Sequence, residues 1–261
     1  MTTKPWSLAQ CCERYASASV GGISIWRNVI EPIGIAEASR IVQDSGLAVP
    51  ALVRGGFFVS SDAAQRAASL DENRTCLDEA AALGAEMVVL VVGASPDIAL
   101  HDARQMVVGG IQSLLPHAES LGVKLAIEPL HPMYAADRSC INRIQEARAV
   151  CDDVAHSLVG VAVDVYHVWW DPDLVSQIDG LGREGRLFGF HVCDWRTPMR
   201  DPLNDRGLMG EGCIDIRGIR AMVERAGFAG FNEVEIFSER YWAEDQDRYL
   251  ASICDAYVTA T

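Results

Sequence analysis

Nowhere does the chain approach the ~18–20 consecutive apolar residues that a membrane-crossing helix needs, so no membrane partner is expected. Positive charge is scarce: 22 Lys and Arg stand against 36 Asp and Glu, a formal net charge of −14. Such a surface repels a phosphate backbone and weighs against nucleic acid as a partner. Histidine is scarce too, with six in the whole chain. The opening stretch MTTKPWSLAQCCERY lacks the apolar centre of a secretory signal. The eight cysteines form no CxxC pair and no regular spacing, and most sit inside apolar patterns. They read as reduced thiols of a cytoplasmic protein. No low-complexity tract and no linker rich in Pro, Gly and Ser divides the chain. No glycine-rich dinucleotide loop follows the first apolar run, which counts against an open, doubly wound sheet.

What is present is an ordinary globular balance, 49% hydrophobic and 22% charged, over 261 residues. A chain this long buries roughly three quarters of its unfolded surface and needs no disulfide or structural metal to fold. Eight short apolar runs recur: PWSLA (5–9), GGISIW (21–26), LAVPALV (47–53), EMVVLVV (86–92), VKLAIE (123–128), VGVAVD (159–164), RLFGFHV (186–192) and FNEVEIF (231–237). Helical stretches lie between them, among them 35–46, 71–84 and 215–227, each closing on glycine. Strands alternating with helices imply a parallel sheet covered by helices. Eight such units at roughly 30 residues each fit a single (β/α)8 TIM barrel spanning 1–261.

Four of the later runs end in polar residues: Glu128, Asp164, His191 and Glu235. Each lies about one βα unit from the next, so in a barrel they stand side by side at the C-terminal face of the sheet. Three hard carboxylates and one imidazole make a site for a divalent cation. Mn²⁺ suits them best, with Mg²⁺, Co²⁺ or Zn²⁺ as alternatives. Glu233 faces the same side of the last strand; Glu235 is assigned to the cation because it lies nearer the strand's end. Other strand ends suit a sugar pocket. Trp26 either stacks on the apolar face of a sugar or belongs to the core. Arg54 either binds a substrate oxygen or phosphate or pairs with the acidic rim. Trp169 and Trp170 form a wall or an interface patch. Asp194 either orients His191 or is a surface aspartate.

The stretches LAIEPLHP (125–132), VAVDVYHVWWDP (161–172), FGFHVCDW (188–195), GEGCIDIRGI (210–219) and GFNEVEIFS (230–238) resemble the xylose-isomerase-like barrel superfamily along nearly the whole chain. That group includes ketose 3-epimerases, inosose isomerases and dehydratases, and sugar phosphate isomerase/epimerase proteins. The resemblance implies that Glu128, Asp164, His191 and Glu235 are metal ligands, with Glu128 and Glu235 also the acid–base pair. It implies that His167 binds substrate, as does Arg196, which lies near the position of an arginine the epimerases use. The loop EPLHPMYAADRS (128–139) departs from the epimerase pattern, which carries a further glutamate where this chain has His131. There it is similar to the large subunit of the C-glycoside deglycosidases, which act on 3-keto glycosides with a histidine base and a small second subunit. The expected activity is therefore proton abstraction next to the carbonyl of a keto sugar by an isomerase or epimerase. Elimination from a 3-keto glycoside with His131 as base is the alternative, and a non-catalytic sugar-binding or partner subunit is a third. A small keto sugar or glycoside is the expected ligand, with a homodimer or a small second subunit as the protein partner. A related barrel endonuclease for abasic DNA would need more histidines and a basic surface.

Overall fold

The computed structural model describes residues 1–261. Strands β1 (Ile25–Trp26), β2 (Ala51–Gly56), β3 (Met87–Val91), β4 (Lys124–Ile127), β5 (Val159–Asp164) and β6 (Leu187–Val192) pair in chain order, all parallel. Next come β7 (Asp194–Trp195) and β8 (Arg206–Gly207), a short antiparallel ladder of their own. Strand β9 (Asn232–Val234) then returns to the main sheet beside β6. Helices cover the outside: α1 (Leu8–Ser17), α2 (Ile35–Ser45), α3 (Ala63–Leu83), α4 (Leu100–Leu121), α5 (Ile144–Val154), the single turn α6 (Val165–Val168), α7 (Leu174–Glu184), α8 (Ile216–Arg225), the short α9 (Glu239–Trp242) and α10 (Gln246–Ala260). The β/α barrel expected from the alternation is the fold observed.

The helices anticipated at 35–46, 71–84 and 215–227 are α2, the second half of α3, and α8. Gly84 and Gly122 close α3 and α4 in the left-handed conformation, at φ 71° and 68°, which glycine adopts without a Cβ clash.

The first anticipated strand, 5–9, is not a strand. Ser7 caps α1, with Gln10 N donating to Ser7 Oγ at 3.3 Å and Ser7 N donating to Gln10 Oε1 at 2.9 Å. This reciprocal pair fixes Leu8 and Ala9 in a helical turn. The main sheet therefore has seven strands, and β9 and β1 face each other across a seam with no ladder between them. Side chains bridge it: Ser24 Oγ donates to Glu233 Oε2. Beside it, Thr2 Oγ1 donates to Val234 O at 3.0 Å and accepts from Ile236 N at 3.1 Å.

Two apolar layers hold this architecture. The larger lies between sheet and helices and includes Leu52, Leu90, Ile127, Val161 and Phe190. The smaller fills the barrel with Ala51, Val53, Met87, Val89, Ala126 and Ala162, packed against Trp26 and Phe188. Alternation along each strand sends successive side chains to these two layers. The layer of small residues leaves room above it for polar groups at the strands' C-terminal ends. The eight cysteines are all free thiols, and no helix is long and apolar enough to cross a membrane.

Candidate metal centre and its surroundings

The four polar strand ends converge. Glu128, Asp164, His191 and Glu235 each offer one donor atom, and those atoms all lie within 4.8 Å of one another. Donors at about 2.1–2.3 Å from a shared ion lie at most roughly 4.2–4.6 Å apart, so small side-chain movements bring all four onto one cation. Backbone pairing sets each position. Glu128 N donates to Leu90 O at 3.1 Å, Glu235 N donates to Val192 O at 3.1 Å, and Asp164 stands opposite His191 in the β5–β6 register.

The cluster is almost dry. Asp164 is 0% exposed, His191 3% and Glu128 6%. Burial raises the Asp164 carboxyl to about 7, with Arg206 opposing the rise and Glu235 and Glu128 adding to it. Burial disfavours the His191 imidazolium, but the hydrogen bond to Glu128 and the charges of Glu233, Glu128 and Glu235 carry it up to about 10. Its Nδ1 lies 2.9 Å from Glu128 Oε1. Carboxylates this crowded repel unless a positive charge lies among them, and the donor set of three oxygens and one nitrogen fits a divalent cation. Glu235 does join the cluster. Glu233 sits on the other side of the imidazole, its Oε1 3.8 Å from His191 Nε2. It occupies the place from which a carboxylate orients a ligand histidine.

That place was expected for Asp194, and the structure differs. Asp194 accepts hydrogen bonds from the backbone N–H groups of Trp195, Gly210, Gly212 and Ile214, at 2.8–3.0 Å. It shapes the loop after β8 and does not touch His191. Gly212 is required there, because a Cβ would lie 2.1 Å from Trp195 O.

One charged residue of the site escaped sequence reasoning. The guanidinium of Arg206 is buried, and its Nη1 donates to Asp164 Oδ2 and to Glu235 Oε2, both at 2.9 Å. Tyr166 and Phe237 flank it, with ring centroids 4.3 and 4.8 Å from Cζ. Its Nε is buried without a partner. Arg206 arrives on a two-residue strand inside the long excursion after β6, where no periodic pattern marks it. Arg196, the arginine expected to meet substrate, pairs with Asp205 at 3.1 Å on that same excursion.

The remaining candidates surround the cluster. His167 follows Asp164 in α6, fully buried; its Nδ1 accepts the His131 N–H at 3.2 Å, and its Nε2 lies 3.7 Å from Asp164 Oδ2. Burial first, and then the charge of Arg206, hold His167 well below the usual imidazole range. His167 Nε2 also lies 3.4 Å from Arg206 Nη2, so the ring is held between the His131 N–H and the buried guanidinium. His131 Nδ1 accepts the Met133 N–H at 3.3 Å, and its ring lies 4.9 Å from Trp195 and 5.8 Å from Trp170. Burial lowers its pKa as well. Trp170 Nε1 donates to His167 O at 2.8 Å, and Trp169 packs against Trp195. Trp170 and Trp195 thus border His131, with Trp169 packed behind Trp195. Trp26 packs edge-on against Phe237 and also borders a cavity of about 550 Å³ along the β9–β1 seam. His191, Glu233 and Glu235 reach that cavity too, and its size suits a small organic molecule.

Arg54 enters the barrel through a bulge. The β2–β3 register runs from Val53↔Val89 to Gly55↔Leu90, skipping Arg54. A Cβ on Gly55 would point outward, 2.5 Å from Asn73 Oδ1 of α3. Arg54 therefore shares the inner side with Val53, close enough to Glu128 to feel its charge. It makes no ion pair with the acidic rim.

The chain belongs to the xylose isomerase-like TIM barrel family, whose sequence pattern matches residues 12–253. Protein SMc04130 from Sinorhizobium meliloti 1021 has a crystal structure that superposes with a TM-score of 0.94 at 46% identity, covering 98% of this chain and 94% of that one. The inosose isomerase of Bacillus subtilis (strain 168) is 25% identical over 203 residues, 75% of this chain and 69% of its own. The crystal structure of the IOLI protein with a bound zinc atom superposes with a TM-score of 0.84 at 20% identity, covering 97% of this chain and 92% of that one.

Proposed function

We propose that this barrel is a metal-dependent sugar isomerase or epimerase that removes a proton from the carbon next to the carbonyl of a keto sugar. The observation that supports it best is the meeting of Glu128, Asp164, His191 and Glu235 within 4.8 Å at the ends of four adjacent strands. These four would hold the cation, Mn²⁺ or Zn²⁺ before Mg²⁺ or Co²⁺. When bound, it supplies a Lewis acid that stabilises the negative charge developing on the carbonyl oxygen. Glu128 or Glu235 takes the proton and the other returns it. Return to the same carbon from the opposite face is epimerisation, and return to the neighbouring carbon is isomerisation. Trp26 gives an apolar wall to the cavity that His191, Glu233 and Glu235 reach, and neutral His167 and Arg54 are the polar groups proposed to meet substrate beside the ligands. The relative named inosose isomerase and the zinc of the IOLI protein agree with this reading.

Elimination from a 3-keto glycoside, with its small second subunit, is the second reading. It needs a free lone pair on His131. With Nδ1 accepting from Met133 N, the proton of neutral His131 lies on Nε2, an arrangement that donates. This favours the two outcomes that use the glutamates. The test is a panel of ketoses, inososes and 3-keto glycosides incubated in D₂O with the Mn²⁺- or Zn²⁺-loaded protein. The expected result is deuterium entering next to the carbonyl, lost on chelation and lost in Glu235→Gln together with bound metal. Exchange that survives both would refute the proposal, and released aglycone would move it to the elimination branch.

A further inference from the structure

Two arginines at the barrel mouth have positive charge and no adequate counter-charge. Arg54 stacks its guanidinium on Phe57, 4.4 Å from Cζ to the ring centroid. No carboxylate pairs with it, although it is more than half buried among acidic strand ends. Arg138 lies on the loop after β4. Its nearest acid is its exposed neighbour Asp137, at 3.7 Å, and its guanidinium rests 5.2 Å from the Tyr134 ring. The backbone brings the two together around the end of β3. Gly93 N donates to Arg138 O at 3.0 Å, and Gly93 also packs on Phe57, to whose Cα a Cβ at that position would come within 3.1 Å. Phe57 N donates to Val91 O at 2.8 Å. Burial and the charge of Arg138 both weigh against the Arg54 cation, and Glu128 offsets only part of this. A chain with a net charge of −14 and a surplus of carboxylates nevertheless leaves these two guanidinium groups near enough for the charge of Arg138 to weigh on Arg54.

We infer that Arg54 and Arg138 form a subsite for an anionic group, a carboxylate or a phosphate, carried by the keto substrate, so that the pocket selects an acidic sugar derivative over a neutral one. The inference rests on the proposed proton abstraction for its setting. Guanidinium groups recognise carboxylate and phosphate through paired N–H donors. The Phe57 ring holds Arg54 in place, so little side-chain freedom is lost on binding. Arg54 also lies near Glu128, so an anion bound there orients the rest of the substrate toward the metal ligands.

The test compares a neutral ketose with its phosphate ester and with a keto acid of similar size, following C–H exchange in D₂O by the metal-loaded protein. One anionic compound is expected to exceed the neutral one in kcat/KM by roughly 10- to 100-fold, the range of a charge-assisted hydrogen bond. The phosphate and carboxylate arms show which anion is the natural one. Arg54→Gln and Arg138→Gln should remove that advantage, chiefly through KM, by costing the anionic compound far more than the neutral one. Equal rates for neutral and anionic compounds, or an equal loss for both in Arg54→Gln, would overturn the inference while leaving the proton-abstraction reading intact. If no compound exchanges, that reading fails, and the subsite is decided separately by titrating the zinc-loaded protein with inorganic phosphate and with succinate. Saturable NMR shifts of the Arg54 and Arg138 Nε–H signals, with the Arg138 shift lost in Arg54→Gln, support the subsite, and unshifted signals reject it.

Discussion

Arg206 and a bound cation answer the same electrostatic need, so replacing Arg206 with Gln should have opposite effects on stability and on metal affinity. Without metal, the guanidinium is the buried positive charge between Asp164 and Glu235. Removing one partner of a buried ion pair costs about 3–5 kcal/mol. At this chain length that corresponds to roughly 6–20 °C in Tm. The cation, however, no longer meets a fixed positive charge. Arg206 Nη1 is 2.9 Å from two ligand oxygens, which puts it about 5 Å from an ion they hold. Repulsion between charges of +1 and +2 at that separation is roughly 2–7 kcal/mol for an effective dielectric of about 20–80. Even the lower value predicts a cation affinity at least about thirtyfold tighter in the variant. Thermal unfolding in chelator and in saturating Zn²⁺ reads both effects at once. A large Tm deficit is expected in chelator, shrinking by a third or more with metal, and calorimetric titration should show the tighter binding. An equal deficit under both conditions would refute the argument that guanidinium and cation share one role.

The chelated protein should lose stability as pH rises. Asp164, raised to about 7, and His191, raised to about 10, both hold protons more tightly folded than unfolded. The Asp164 contribution fades between about pH 4 and 7 and that of His191 between about pH 6.5 and 10. Denaturant midpoints at pH 6 and pH 9 check this, and a higher midpoint at pH 9 would contradict it. Glu233→Gln removes the carboxylate behind His191 and should weaken cation binding by about 10- to 100-fold while leaving the fold in place, as measured by metal titration and circular dichroism. Gly212→Ala puts a methyl against Trp195 O and Asp194; we expect disordered 208–214 signals in NMR and a lower Tm, and an unchanged spectrum would show that the loop adapts.

Much of this was readable before any coordinates. A carboxylate or imidazole at the end of an otherwise apolar strand is conspicuous, because a buried charge needs compensation. Glu128, Asp164, His191 and Glu235 carried that signal, and they do meet. Three features turned on contacts that strand periodicity does not show. The run PWSLA is apolar enough for a strand, but Ser7 and Gln10 spell a capping box, and local hydrogen bonding won. Arg54 sits next to Val53, so strict alternation would send them to opposite faces; the bulge that sends both inward depends on the pairing with β3. Arg206 and the amide cradle of Asp194 belong to an excursion shaped by backbone contacts between distant residues, which leave no periodic trace.

Every candidate ligand comes from β4, β5, β6 or the end of β9, whereas Trp26 and Arg54 come from β1 and β2. The two groups thus occupy separate stretches of the gene, with Arg138 and His167 of the proposed pocket lying among the ligand-bearing strands. Changes in the first third of the chain can therefore reshape one side of the pocket while the four candidate ligands keep their places.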